Sequence, residues 1–210
     1  MRSEVLTSES QKALTPTQVV ADLKAGNERF ADNRGSRFDF LEQVRSTASG
    51  QFPKAVVLSC LDSRVPPEVV FDQGIGDIFV GRIAGNFANT DLIGSMEFAT
   101  AVAGAKAIVV LGHTACGAVM GAADDARLGN LTATLANLKP AVDAASREMP
   151  GAHTSKNADF VARITETNVR LTMDRILDQS ELLRKLVDDE KLVLVGGVYD
   201  LETGRIDWLD

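Results

Sequence analysis

Three short apolar runs constrain this chain most. "KAVVLS" (54–59), "DIFVGR" (77–82) and "AKAIVVLG" (105–112) are rich in β-branched residues and too short to be buried helices. Runs apolar on both faces predict strands covered from both sides, as in parallel sheets. The segments between them have helical character. "DLIGSMEFATAVAG" (91–104) is the clearest, with Asp91 in its first turn and Gly104 as its stop. Strands alternating with helices predict β-α-β units.

The rest of the chain extends this frame. "TPTQVVADLKAGNERFADN" (15–33) predicts an amphipathic helix, capped by Thr15 and opened by Pro16, with Val19, Val20, Leu23 and Phe30 at helical spacing. Few apolar residues precede the core, so residues 1–34 are expected to form a helical arm that packs on a partner subunit. Residues 35–210 are expected to form a single α/β domain. A helix should begin near Ala115. Leucines at 128, 131, 135 and 138 form a helical stripe, and residues 157–187 read as helical with a break near Asp178. "KLVLVGGVYD" (191–200) is a late strand, "ETGR" a turn and "RIDWL" a final strand. The fold class is therefore α/β. A mostly parallel sheet of about four strands plus a C-terminal edge strand is flanked by helices.

Ligands of such sheets bind beyond the carboxyl ends of the strands, where strand order reverses. Cys60 directly follows the first run, and His113 and Cys116 directly follow the third. If those two strands are neighbours, both motifs reach one crevice. The 210 residues carry a formal net charge of −7, which disfavours a nucleic-acid partner. No run of about 18 apolar residues predicts a membrane span. "MRSEVLTSESQKALTPTQ" lacks an apolar leader, so a cytoplasmic setting with reduced thiols is expected.

Two thiolates and an imidazole suit tetrahedral zinc with one position left open. Spacing alone equally fits cysteines that are small buried hydrophobes. The chain's second histidine, His153 in "PGAHTSKN", reads as a solvated loop residue. Asp62 and Arg64, two residues apart in an extended segment, lie on one side of the chain. Asp62 either fills a fourth metal position or pairs bidentately with Arg64, and a plain surface ion pair is the alternative to both. Gly74, Gly76, Gly81 and Gly85 match no phosphate-loop spacing and read as turns and close-packing points.

"CLDSRVPPE" followed about fifty residues later by "GHTACGA" resembles the signature of the β-class carbonic anhydrases. The likeness continues through "GDIFVGRIAGN" (76–86), "GSMEFA" (94–99) and the closing strands. The resemblance implies one zinc per chain, held by Cys60, His113 and Cys116, with Asp62 and Arg64 as catalytic dyad and Asp62 as alternative fourth ligand in a closed state. It implies reversible hydration of carbon dioxide to bicarbonate and a proton by zinc-bound hydroxide. It also implies a homodimer or a dimer of dimers. Gln51, Phe79, Phe98 and Gly117 match the family's substrate-binding positions, with Gln51 acting across the dimer interface. Phe98 stands where a tyrosine is frequent, and Ala118 where a second glycine is usual. One branch of the family has a non-catalytic bicarbonate pocket built around a tryptophan three residues before the first cysteine. Val57 stands there, and the single tryptophan is Trp208, so the plant-like branch without that pocket is expected. Three other readings remain at this point: a related heterocumulene such as carbon disulfide as substrate, a structural-zinc or bicarbonate-sensing protein, and a thiol redox protein. The absence of a C-x-x-C motif weighs against the last.

Overall fold

A computed structural model describes residues 1–209. Its elements in order are α1 (Ser8–Ala13), α2 (Pro16–Ala31), α3 (Phe40–Thr47), β1 (Ala55–Ser59), α4 (Pro67–Val70), β2 (Ile78–Arg82) and α5 (Thr90–Glu97). A π-helical turn (Phe98–Val102) leads to β3 (Ala107–His113), α6 (Gly117–Ala123), α7 (Leu131–Ala136) and α8 (Lys139–Glu148). Then come α9 (Ala158–Gln179), α10 (Glu181–Asp188), β4 (Val193–Tyr199) and β5 (Ile206–Leu209). The five strands form one sheet in the order β2-β1-β3-β4-β5. All neighbours are parallel except β4 and β5. The predicted sheet of four strands plus a C-terminal edge strand is thus present.

The register explains why the strand runs are apolar throughout. In β1, Ala55 and Val57 join one core layer, while Val56 and Leu58 join the opposite one. In β3, Ala107, Val109 and Leu111 alternate with Ile108 and Val110 in the same way. Helix α9 covers one face closely, because β3 and β4 present glycines to it. A Cβ on Gly196 would lie 2.6 Å from both Val169 Cγ1 and Met173 Sδ, and one on Gly112 would lie 2.8 Å from Val169 Cγ2.

Helix α2 lies on its own chain. Val19 and Leu23 are fully buried in the layer that holds Val57, and Asn27 Nδ2 donates to the carbonyls of Val70 and Gly204. Lys54 Nζ, almost wholly buried, reaches Asp22 at 2.6 Å. Asp72 fixes the exit of the helix. Its carboxylate accepts from Arg29 Nε at 2.6 Å, from the Ser36 N–H at 2.7 Å and from Ser36 Oγ at 2.8 Å. Burial pushes that carboxyl upward, but these donors outweigh burial and hold it below the usual range. A lowered folded pKa adds stability above the ordinary carboxylate range that is lost as pH falls through the folded value. Asp72→Asn tolerates the residue's φ of 51° and should cost about 2 kcal/mol at neutral pH. Thermal melts should show the gap from the parent narrowing in acid; a gap that widens in acid would contradict the assignment.

Several helices differ from the sequence expectation. The helix expected over 91–104 is α-helical only to Glu97 and then widens into the π turn, before Gly104 (φ 83°) ends it. The leucine stripe at 128–138 forms only the short α7, and α8 follows it. The expected break in the long C-terminal helix falls at Ser180, whose Oγ caps α10 by accepting from the Leu183 N–H. The turn before β5 is as predicted. Asp200 Oδ1 accepts from Glu202 N and Thr203 N, and Gly204 has a φ of 74°.

Candidate metal centre

Strand β1 lies between β2 and β3, so the chain leaves it once to each side. The reversal of strand order falls between β1 and β3. Cys60 leaves β1 and His113 ends β3 at this point. Cys116 follows across a turn in which Ala115 takes a left-handed φ of 51°. That turn is tied to β4, since the Thr114 N–H donates to the Tyr199 carbonyl and Thr114 Oγ1 accepts from Leu201 N.

Cys60, His113 and Cys116 are all buried, and their ligating atoms lie within 4.8 Å of one another. The two sulfurs are 3.9 Å apart and unbridged. Two thiolates on one tetrahedral zinc stand roughly 3.8 Å apart, from Zn–S bonds of about 2.3 Å. His113 Nδ1 lies 2.9 Å from the Thr114 carbonyl, which can only accept, so Nδ1 carries the proton. Nε2 therefore holds a lone pair, and it is buried without a partner. A buried acceptor left unpaired costs stability unless something fills the place. The donors present fit a metal ion.

The thiols share one proton. Hydrogen bonding from Cys116, then from the Gly85 N–H, pulls the Cys60 thiol down against the effect of burial. The Cys60 thiolate and burial together push Cys116 up.

Asp62 stands at the edge of this cluster, with Oδ2 3.9 Å from His113 Nε2. Its oxygens face Arg64. The Arg64 N–H and Nε donate to Oδ1, each at 2.9 Å, and Nη2 donates to Oδ2 at 2.7 Å. These bonds hold the carboxyl far below its usual range. Asp62 and Arg64 thus form a bidentate pair at the edge of the cluster.

Of the substrate positions taken from the resemblance, Gly117 adjoins the cluster within one chain, whereas Gln51, Phe79 and Phe98 do not. Gln51 is exposed in a shallow depression with Thr47 and Ile75. Phe79 and Phe98 meet edge to face, with centroids 6.3 Å apart, beside a cavity of about 840 Å³ that touches none of the three candidate ligands. Gly117 opens α6 beside Cys116 and is exposed, with open space where a Cβ would stand. His153 is exposed, as expected, and stacks on Phe160. Val57 is buried in the sheet, and Trp208 packs on Phe71 in the same layer.

The sequence reading missed the support from β2. Arg82 Nε donates to the Cys60 carbonyl at 2.9 Å and Nη2 to the Asp62 carbonyl at 2.5 Å. The Gly85 N–H lies 3.4 Å from Cys60 Sγ. Contacts to backbone carbonyls leave no pattern of residue types to read.

A family model described as Carbonic anhydrase matches residues 55–206. The chain is 35% identical over 187 residues to carbonic anhydrase 2 of Mycobacterium tuberculosis, covering 87% of each. Among solved structures, the β-carbonic anhydrase CafA of Aspergillus fumigatus aligns with a TM-score of 0.72 at 26% identity, over 92% of this chain and 90% of that one. A tetrameric β-carbonic anhydrase of Sordaria macrospora aligns with a TM-score of 0.71 at 26% identity, over 92% and 95%. With the family model matching residues 55–206 and the relatives matching most of its length, the chain belongs to the β-carbonic anhydrase family, enzymes whose general reaction is the reversible hydration of carbon dioxide.

Proposed function

We propose that this chain hydrates carbon dioxide reversibly at a single zinc held by Cys60, His113 and Cys116, with Asp62 and Arg64 as the working dyad. The observation that carries this reading is the buried, unpartnered Nε2 of His113 beside two free thiols. Two sulfurs and an imidazole form a soft donor set that favours zinc over magnesium or calcium. Zinc, when bound, lowers the pKa of water on its open position so that a hydroxide nucleophile is at hand near neutrality.

The protein's own groups then orient the reaction. The Asp62 carboxylate, kept ionised by Arg64, can only accept, so it fixes which way a proton on the nucleophile points. Arg64 keeps both carboxylate oxygens occupied and so holds Asp62 off the metal. Gly117, with no side chain, leaves its backbone N–H open to a bicarbonate oxygen. The test is stopped-flow carbon dioxide hydration with metal analysis of the same sample. An active, transition-metal-free protein would overturn the reading.

Metal uptake should depend on pH. Near neutrality the metal-free pair keeps the Cys116 proton, and binding must expel it. Zinc titration in weakly buffered dye should release about one proton per site, with affinity rising as pH rises. No release near neutrality would contradict the shared-proton state.

The working unit is at least a homodimer. Gln51 sits away from the cluster, and Phe98 and Val102 are exposed on the rim of their own helix. In the dimer, Gln51 of one subunit acts at the metal site of the other, and Phe79 and Phe98 line the substrate pocket, in a cytoplasmic protein with no nucleic-acid or membrane partner. Sedimentation should find no active monomer, and Gln51→Ala should raise KM more than it lowers kcat. A fully active monomer would refute this assembly. With Val57 and Trp208 placed as they are, bicarbonate should inhibit without cooperativity. Steep cooperative inhibition would show a second bicarbonate site.

A further inference from the structure

We infer that Arg82 is a positioning residue of the metal centre, gripping from β2 the loop that presents Cys60 and Asp62. The inference rests on the reading of Cys60 as a metal ligand. Three donors from one short stretch converge on that loop. Arg82 Nε binds the Cys60 carbonyl at 2.9 Å, Arg82 Nη2 binds the Asp62 carbonyl at 2.5 Å, and the Gly85 N–H approaches Cys60 Sγ at 3.4 Å. The stretch is itself fixed. The Ile83 N–H donates to the Ser59 carbonyl at 3.1 Å, and Asn168 Nδ2 donates to the Gly85 carbonyl at 2.9 Å.

The geometry calls for arginine. Residues 60 and 62 have left β1, so their carbonyls no longer have strand partners in the ladder with β2 or β3. A guanidinium offers rigid, divergent N–H donors that can hold two carbonyls at once, whereas an ammonium acts as a single point. The two arginines divide Asp62 between them: Arg64 holds its carboxylate and Arg82 its carbonyl. Arg82 touches neither sulfur nor imidazole. Its effect on chemistry passes through the position of the Cys60 and Asp62 side chains, as other outer partners of metal ligands act.

Full-length parent, Arg82→Lys and Arg82→Ala proteins are loaded with cobalt(II). Thiolate-to-cobalt charge-transfer absorption, chelator-driven cobalt release and hydration kinetics of the zinc forms are then compared. Both variants should show a shifted charge-transfer band. Metal release should be about tenfold faster in Arg82→Ala and intermediate in Arg82→Lys. In the zinc forms, kcat should fall while KM stays near the parent value. Guanidinium ion added at millimolar concentration should slow release from Arg82→Ala and leave the parent unchanged. If Arg82→Ala does not fold, Arg82→Lys decides the matter. A Lys variant with the parent's melting temperature, spectrum and release rate overturns the proposal. So does a variant with a lower melting temperature but an unchanged spectrum and release rate, because Arg82 would then serve only the fold. A parent protein that takes up no cobalt overturns the metal reading itself, an outcome separate from both.

Discussion

Cys60→Ser, His113→Ala and Cys116→Ser should each abolish both metal retention and carbon dioxide hydration. Serine is close in size to cysteine, and its hydroxyl is not a thiolate at neutral pH. The cysteine variants therefore remove a soft anionic ligand with little change of volume. A site reduced to two strong donors no longer closes three corners of a tetrahedron, and zinc should be lost during purification. His113→Ala adds a packing defect, because the imidazole is fully buried. The cysteine variants thus separate metal loss from unfolding. They should keep the far-ultraviolet spectrum of the metal-free parent and contain less than about a tenth of a zinc per chain. The two differ in what they leave behind. Removing Cys60 takes away the thiolate that raises its neighbour, so the Cys116 pKa should fall, and thiol-reactive dyes should modify it faster near pH 8. Hydration at the parent rate by any of the three variants would sink the ligand assignment.

The strands were readable because burial on both faces leaves runs such as "AVVL" with no polar member. The meeting of Cys60 with His113 and Cys116 then followed from topology. Helix α1 is six residues long, without an apolar stripe, and its capping box pairs Thr7 with Ser10 rather than with the usual Glu or Gln. Helix α3 turns Phe40, Leu41 and Val44 outward, so its pattern does not register as a face buried in its own chain. Helix α8 buries Ala141, Val142 and Ala145, and small alanines hide an apolar face that larger side chains would advertise. The π turn at Phe98–Val102 has no periodicity of its own. Helix α2 carries Val19 and Leu23 into the core of its own chain, with Val20 and Phe30 packed against it, the four residues whose helical spacing was legible. In the site, the candidate ligands were legible by residue type, whereas Arg82 donates to carbonyls that every residue possesses. Gln51, Phe79 and Phe98 came from resemblance alone, and one chain does not bring them to the cluster.

Arg64→Ala should retain one zinc per chain yet lose about 10²–10³-fold in kcat. The three ligands are untouched by this change, so metal content should match the parent. The carboxylate of Asp62 is what changes. It loses the Nε and Nη2 bonds, at 2.9 and 2.7 Å, and keeps only a backbone N–H donor. With Oδ2 already 3.9 Å from His113 Nε2, a small rotation brings it toward the cluster. An ionised oxygen released from its donors should take the open metal position and exclude water from it. Arg64→Lys should be intermediate, since one ammonium cannot span both oxygens. Asp62→Asn should also be slow for a different reason. It leaves the metal position free but replaces an obligate acceptor with an amide that can also donate, so the nucleophile's proton is no longer held in one direction. A crystal structure of Arg64→Ala should therefore show Asp62 on the metal, and one of Asp62→Asn should show the residue away from it. Anions that bind the open position should inhibit Asp62→Asn but bind Arg64→Ala at least tenfold more weakly, because there they must displace a carboxylate. Parent-level turnover in Arg64→Ala, or equal anion affinity in the two variants, would refute the role given to this arginine.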